Sequence, residues 1–348
     1  MTQTSREIIR DTLTFKNPSR IGRQLWVLPW AQQRFPDQLA QIERDYPNDI
    51  VTVPAELCYY NPSPIIKGDA YALGQYTDEW GCIYENRQQG VTGEVKSPIV
   101  TDINDLSPLN FPYEILPSNP QLSRDSINKY CRETDQFVLA NCVPRPWERL
   151  QFICGTVNAM MAIMTPESGI FNLIRKIHEF YLAELEFWTS TDVDAIFFMD
   201  DWGSQLNLLI PPKIWTELFK PLYKDYCDLA KANNKFTFMH SDGCITKIYP
   251  ELIEVGVDAV NSQLFCMDME ELAKIAKGKI TFWGEIDRQH IIPSSDTNIA
   301  RQAVDKVAKH LYDPSGGIIA QFELGPGANI DNTRVIFDQW ETISNKTI

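Results

Sequence analysis

From Gln136 onward the chain alternates short apolar runs with longer amphipathic stretches, and this alternation restricts its folds more than any other feature. The runs are QFVLANC (136–142), LQFICGT (150–156), DAIFFMDD (194–201), KFTFMHSDG (235–243), VDAVNSQLF (257–265), KITFWGEID (279–287) and GGIIAQFELG (316–325). Each is short and rich in Val, Ile and Phe, as strands buried on both faces are. Between them Pro211-Pro212 opens a helix through TELFKPLYKDYCDLAKANNK, and ITKIYPELIEVG and DMEELAKIAKG follow. SSDTNIARQAVDKVAKHLY then offers Ser295 or Asp296 as an N-cap, with apolar positions at three- and four-residue steps. Strands that alternate with helices imply βαβ units and a parallel sheet. DIVTVPAEL (49–57) supplies a first strand, which brings the count to eight. The predicted fold is α/β, a (β/α)₈ TIM barrel, with a doubly wound open sheet as the alternative. Residues 1–48 form an N-terminal extension. Residues 58–125, irregular and rich in Pro, Gly, Tyr and Asn, make a long excursion over the barrel mouth, with a hairpin near CIYENRQQGVTGEVKSPIV. The excursion has too little periodic apolar sequence for its own core, so residues 1–348 are expected to form one barrel domain.

At 348 residues the chain can bury a sizeable core without a disulfide or structural metal. Its eight cysteines show no CxxC pair and read as reduced, mostly buried thiols. With 32 Lys+Arg against 46 Asp+Glu, the net charge of −14 opposes nucleic-acid or anionic-membrane partners. No apolar run reaches the ~18 residues of a membrane span, and the polar N-terminus shows no signal peptide. A cytoplasmic enzyme is the expectation.

In a βα barrel, groups at the C-terminal strand ends face the active site. Here those ends carry Asp200-Asp201-Trp202, His240-Ser241-Asp242, Asn261-Ser262-Gln263 with Cys266 beyond, Glu285 through Arg288, and Gln321 with Glu323. His240, Cys266, Glu285 and Glu323 are suitable zinc ligands that would converge at the mouth. Alternatively, His240 hydrogen-bonds to Asp200 or Asp201 with no metal, Cys266 is core, and the glutamates hold Arg288 or Arg334. Asp201 and His240 are the candidate catalytic pair. Because strand neighbours point to opposite faces, at most one of Asp200 and Asp201 faces the pocket; the other reading of either is a helix cap. Trp30, Tyr59, Tyr60, Trp202 and Trp283 could line an apolar pocket. Dinucleotide, P-loop and nucleophile-elbow motifs are absent.

Five stretches resemble the uroporphyrinogen decarboxylase-like superfamily, closest in character to its zinc- and cobamide-dependent methyltransferases. They are MDDWGSQLNLLIPPKIWTELFKPLY (199–223), FMHSDGCITKIYPELIEVGVDAVNSQ (238–263), KITFWGEIDRQHIIP (279–293), RPWERLQFICGTVNAMM (145–161) and GGIIAQFELGPGANIDNTRVIF (316–337). The resemblance implies the same barrel. It also shows departures. PSRIGRQLWVLPWAQQRFP lacks the arginine-rich signature that grips porphyrinogen carboxylates. The thiol-activating members bind zinc through His-x-Cys and a later Cys. At the matching positions His240 is retained, while Asp242 and Ala328 replace the cysteines.

The resemblance implies a corrinoid-dependent methyltransferase component. It would move a methyl group from a small O- or N-methyl substrate to cobalt on a partner corrinoid protein, with a zinc-type Lewis acid at the mouth. His240 with Cys266, Glu285 and Glu323 would hold the metal. Asp200, Asp201, Gln205, Asp242, Asn261, Gln263 and Arg288 would contact substrate, and the aromatic residues would shape the pocket. The alternatives are a metal-free decarboxylase, with Asp201 stabilising a cationic intermediate and His240 donating a proton, and a barrel that only binds. Monomer and homodimer are both open.

Overall fold

The computed structural model describes residues 3–58, 60, 63–165 and 169–347. Its strands are β1 (Gly22–Val27), β2 (Ile50–Thr52), β3 (Gly74–Thr77), β4 (Ile83–Asn86), β5 (Glu94–Ser97), β6 (Phe137–Leu139), β7 (Ala195–Met199), β8 (Phe236–Ser241), β9 (Ala259–Ser262), β10 (Thr281–Trp283) and β11 (Ile318–Leu324). Eight of them form one parallel sheet in the order β1-β11-β10-β9-β8-β7-β6-β2, and helices surround it. The seam between β1 and β2 is bridged by Asp49 N–H to Arg23 O (2.9 Å) and Leu25 N–H to Asn48 Oδ1 (2.7 Å). The expected α/β barrel is therefore the observed fold.

Two members of the expected strand set change. LQFICGT is not a strand: it lies mainly in the helix Pro146–Cys154, which buries Trp147, Leu150, Ile153 and Cys154. A buried helix end and a buried strand share the same short apolar run, and only length separates them. The missing strand is β1, inside the segment read as an N-terminal extension. Its sequence GRQLWV is half polar because Gln24 points inward to accept the Trp283 indole N–H (2.9 Å), while Arg23 reaches Glu341 (2.7 Å). The excursion thus follows the second barrel strand. It contains the antiparallel sheet β3-β4-β5, including the expected hairpin.

The helix Ser5–Leu13 covers the N-terminal end of the barrel. Thr4 and Glu7 form its capping box, Ile9 and Leu13 join the interior cluster, and Arg6 and Arg10 bind Asp194 just before β7 at 3.0 and 2.7 Å. Inside the barrel, Phe137, Phe197, Phe238 and Trp283 interlock, with Phe238 and Trp283 ring centroids 4.8 Å apart. This aromatic layer is the floor on which the polar strand ends stand. No helix among the described residues is long and apolar enough to cross a membrane.

Candidate functional site

Strand alternation sorts the polar residues. On β8, Phe236, Phe238 and His240 share one face, while Thr237, Met239 and Ser241 face the helices. On β7 the same alternation separates the two aspartates that follow the strand. Asp200 turns outward and is fully buried; it accepts the backbone N–H groups of Trp147 (3.0 Å) and Glu148 (2.8 Å) and the Tyr223 hydroxyl (2.6 Å). It caps the helix Pro146–Cys154 and is not a substrate contact. Asp201 turns to the mouth beside His240.

His240 lies at the centre. Asn261 donates its amide to Trp283 O and to Gln321 Oε1 (2.6 Å), so its oxygen must accept from His240 Nδ1 (2.6 Å). The imidazole proton is thereby fixed on Nδ1. Nε2 is left facing Asp201 Oδ1 and Asp242 Oδ1, each 3.5 Å away. Burial alone would lower the His240 pKa, but Asp242 and Asp201 outweigh it and raise it. These carboxylates favour positive charge at this spot, whether a proton or a divalent cation.

The loops after β7 and β8 meet backbone to backbone. A Cβ on Gly203 would lie 2.4 Å from Cys244 N, and Gly243 adopts φ +79° against Gly203. Two glycines are what this approach requires. It is secured by Gly203 N–H to Asp242 O (3.0 Å) and by Asp242 N–H to Asp201 Oδ1 (2.9 Å). Asp201, His240 and Asp242 consequently offer ligand atoms that all lie within 4.8 Å of one another.

The other expected metal ligands sit elsewhere. Glu323 accepts from Arg288 Nη1 (3.1 Å), and Glu285 lies 3.9 Å from Arg288 Nε. Arg288 also donates to Asp242 Oδ2, so one guanidinium ties together β8, β10 and β11. Burial drives the Glu285 pKa up to about 8 despite Arg288, with Asp242 adding to the rise. Cys266 donates its thiol to Gln205 Oε1 (3.2 Å) and Gln263 Oε1 (3.5 Å), and burial raises its pKa, so it is a thiol and not a ready thiolate ligand. The structure thus gathers His240 with two aspartates, not with Cys266, Glu285 and Glu323.

Gln205, Gln263, Cys266, Glu285 and Arg288 line a cavity of about 110 Å³ between the loops after β9 and β10. Trp202 does not reach it: the ring is buried, stacks on Trp147 at 5.4 Å and donates to Tyr223 Oη (2.9 Å). Trp283 and Asn261 are also buried; one belongs to the floor and the other holds His240. Trp30 packs on Phe35 beside the excursion, with its N–H on Gly90 O (3.2 Å). Tyr60 donates to Asn141 O (3.3 Å) on the β6 side of the mouth. Tyr59 lies outside the described residues. Glu148, which sequence reasoning missed, faces the same cluster: burial raises its pKa, Arg145 opposes the rise and Asp201 adds to it. It belongs to a helix, and a search of strand ends does not find it.

Can the donor set hold the zinc-type ion that the sequence suggested? One buried imidazole with a fixed Nδ1 proton and two carboxylates is a borderline-to-hard N,O set. Asp242 Oδ1 is buried without a hydrogen-bond partner among the described residues, an oxygen free to ligate a cation. The residues fit a divalent metal.

Comparison with known proteins agrees on the fold. A family model for uroporphyrinogen decarboxylase (URO-D) matches residues 79–342. Among solved structures, a methyltransferase from Methanosarcina mazei aligns with TM-score 0.64 at 11% identity, covering 98% of this chain and 99% of that one. A Listeria monocytogenes protein described as a vitamin-B12-independent methionine synthase aligns with TM-score 0.46 at 9% identity, covering 94% and 96%. A GH113 β-1,4-mannanase gives TM-score 0.44 at 9% identity, covering 92% and 99%. No curated protein matches the chain.

Proposed function

Because this chain belongs to the uroporphyrinogen decarboxylase family of enzymes, we propose that it is a methyl-transferring member. It would take a methyl group from a small O- or N-methyl compound and pass it to a corrinoid carried by a partner protein. The observation that carries this reading is the Asp201–His240–Asp242 cluster, with its orphaned Asp242 oxygen at the barrel mouth. The M. mazei neighbour, itself a methyltransferase, lends support through the shared fold.

His240 and the two aspartates would hold a zinc-type ion, which when bound supplies Lewis acidity toward the substrate's oxygen or nitrogen. Asn261 keeps the imidazole proton on Nδ1 and so presents Nε2 to the site. Arg288 binds Asp242 Oδ2, which turns Oδ1 toward His240, and it also pairs with Glu323 and lies beside Glu285. Glu285, whose pKa burial raises to about 8, borders the 110 Å³ cavity and would be placed to give a proton to a departing oxygen or amine. The aromatic floor excludes water from below.

Decarboxylation of a polyacid suits this mouth poorly. Glu148, Asp201, Asp242, Glu285 and Glu323 outnumber Arg145 and Arg288, and Arg288 is already held by three carboxylates. The test is a panel of O- and N-methyl compounds incubated with zinc-loaded protein and free cob(I)alamin, followed by visible absorbance. Methylcobalamin formation that is lost in Asp242→Ala supports the reading. Decarboxylation of a carboxylated substrate by metal-stripped protein would overturn it.

A further inference from the structure

A second cavity of about 430 Å³ opens at the same end of the barrel, on the β2–β6 side, between the excursion and the helix Ile170–Thr189. Nothing in the reading above uses it. Its walls are unusually aromatic for a polar mouth: Tyr60 follows β2, Tyr76 and Tyr84 come from the excursion with ring centroids 5.8 Å apart, and Tyr181 comes from the helix.

The charges inside it sort into satisfied and unsatisfied ones. Arg149 is buried and locked by Asp78 (2.5 Å) and Glu79 (3.5 Å), with its guanidinium 4.9 Å above the Trp80 ring. That network satisfies Arg149 and leaves one net negative charge on the wall. Glu184 has no hydrogen bond or ion pair among the described residues, although it lies one helical turn from Tyr181 and lines the cavity. Arg145, which also lines the cavity, makes no hydrogen bond among the described residues; its one ion pair there is with Glu148, at 4.0 Å, and its charge also reaches Glu184. A loose carboxyl among tyrosine rings is a receptor for a weakly hydrated organic cation, since ring faces and a carboxylate both attract it. An arginine with so little pairing suits a carboxylate.

We propose that this cavity binds a small zwitterion, an N-methylated ammonium acid, with its cationic head among Tyr76, Tyr84, Tyr181 and Glu184 and its carboxylate toward Arg145. The assignment deepens the methyl-transfer reading and rests on it for the fate of the ligand. Binding itself needs neither metal nor corrinoid. Arg145 approaches Glu148, and Glu148 feels the charges of Asp201 and His240, so the cavity adjoins the metal-ligand cluster through Glu148. Burial pushes Glu184 up to about 8, and Glu79 adds to the rise while Arg145 and Arg149 oppose it. An arriving cation would therefore release a proton at neutral pH.

The test is calorimetric titration of the full chain, metal-stripped, with N,N,N-trimethylglycine and with 3,3-dimethylbutanoate, which has the same shape without the positive charge. The wild type should bind the trimethylammonium compound at one saturable site at least about fivefold more tightly than the isostere. Glu184→Gln should abolish that preference while retaining the isostere, and Arg145→Gln should weaken both. Tyr76→Leu, on the excursion and half-buried, gives the same loss of preference if Glu184→Gln does not fold. Equal binding of the two compounds, no saturable binding of the trimethylammonium compound, or a preference that survives in both variants would overturn the assignment. Tight, charge-dependent binding without methyl transfer by zinc-loaded protein would leave it standing and count against the methyl-transfer reading alone.

Discussion

Asp200 and Asp201 are sequence neighbours with opposite tasks, and exchanging each for alanine should separate them. Asp200→Ala strands three buried donors: the N–H groups of Trp147 and Glu148 and the Tyr223 hydroxyl. At roughly 1–3 kcal/mol for each unsatisfied buried group, partly relieved by relaxation, the loss is about 3–5 kcal/mol. With about 2.1 cal/mol/K of unfolding entropy per residue, 348 residues give about 0.7 kcal/mol/K, so Tm should fall by about 4–7 °C. Asp201 is more than a third exposed and accepts a single backbone bond, from Asp242 N. Asp201→Ala should therefore lower Tm by only about 1–2 °C while metal affinity falls at least tenfold. Differential scanning calorimetry of metal-stripped protein measures the first quantity, and zinc titration the second. Equal Tm losses, or a larger loss for Asp201→Ala, would refute the assignment of faces.

Three other outcomes follow from the same geometry. Arg288→Met leaves Glu285 and Glu323 without their cation; with Arg288 about a quarter exposed, the urea-derived stability should drop by about 2–3 kcal/mol, and an unchanged midpoint would show the three-carboxylate tie to be idle. Cys266→Ser should keep zinc stoichiometry and affinity within about twofold of wild type, because Cys266 donates to Gln205 and Gln263 and is no ligand; metal loss would restore it to the ligand set. Glu184 has its folded pKa raised to about 8, above the ordinary ~4.3 of the unfolded chain. The folded state holds the extra proton, so this group's contribution to stability is complete below about pH 4.3 and declines as pH rises to about 8. Glu184→Gln should flatten that slope and exceed the wild type by up to a few kcal/mol above pH 8, as urea melts from pH 5 to pH 9 would show.

The barrel was legible because strands buried on both faces betray themselves by composition. The sequence misled where burial was shared differently. β1 hid behind Arg23 and Gln24, whose polar groups are spent on Glu341 and Trp283, and the helix Pro146–Cys154 imitated a strand by being apolar on most sides. Strand parity correctly left room for one inward aspartate of the pair at 200–201, and the helix-cap alternative describes the other. His240 stood out as a strand-end imidazole. Asp201 was paired with it from the sequence, but Asp242 was not, because it reaches Asp201 through a contact between Gly203 and Gly243, residues 40 positions apart in the sequence. For the glutamates at strand ends the sequence offered two readings, metal ligands or anchors of an arginine, and the structure shows the second, with Arg288 beside both. Glu148, Arg145 and Glu184 lie on helices or their approaches, where a charged residue ordinarily faces solvent; a sequence signal for them was the Arg145-Pro146 step that starts a helix at the mouth.

The most direct test of the central claim is zinc titration of the metal-stripped full chain, alongside His240→Ala, Asp242→Ala and Glu323→Ala. One tightly bound zinc per chain, lost in His240→Ala and Asp242→Ala and kept in Glu323→Ala, is the predicted result. No binding to the wild type, or binding that disappears in Glu323→Ala and survives in Asp242→Ala, would contradict it.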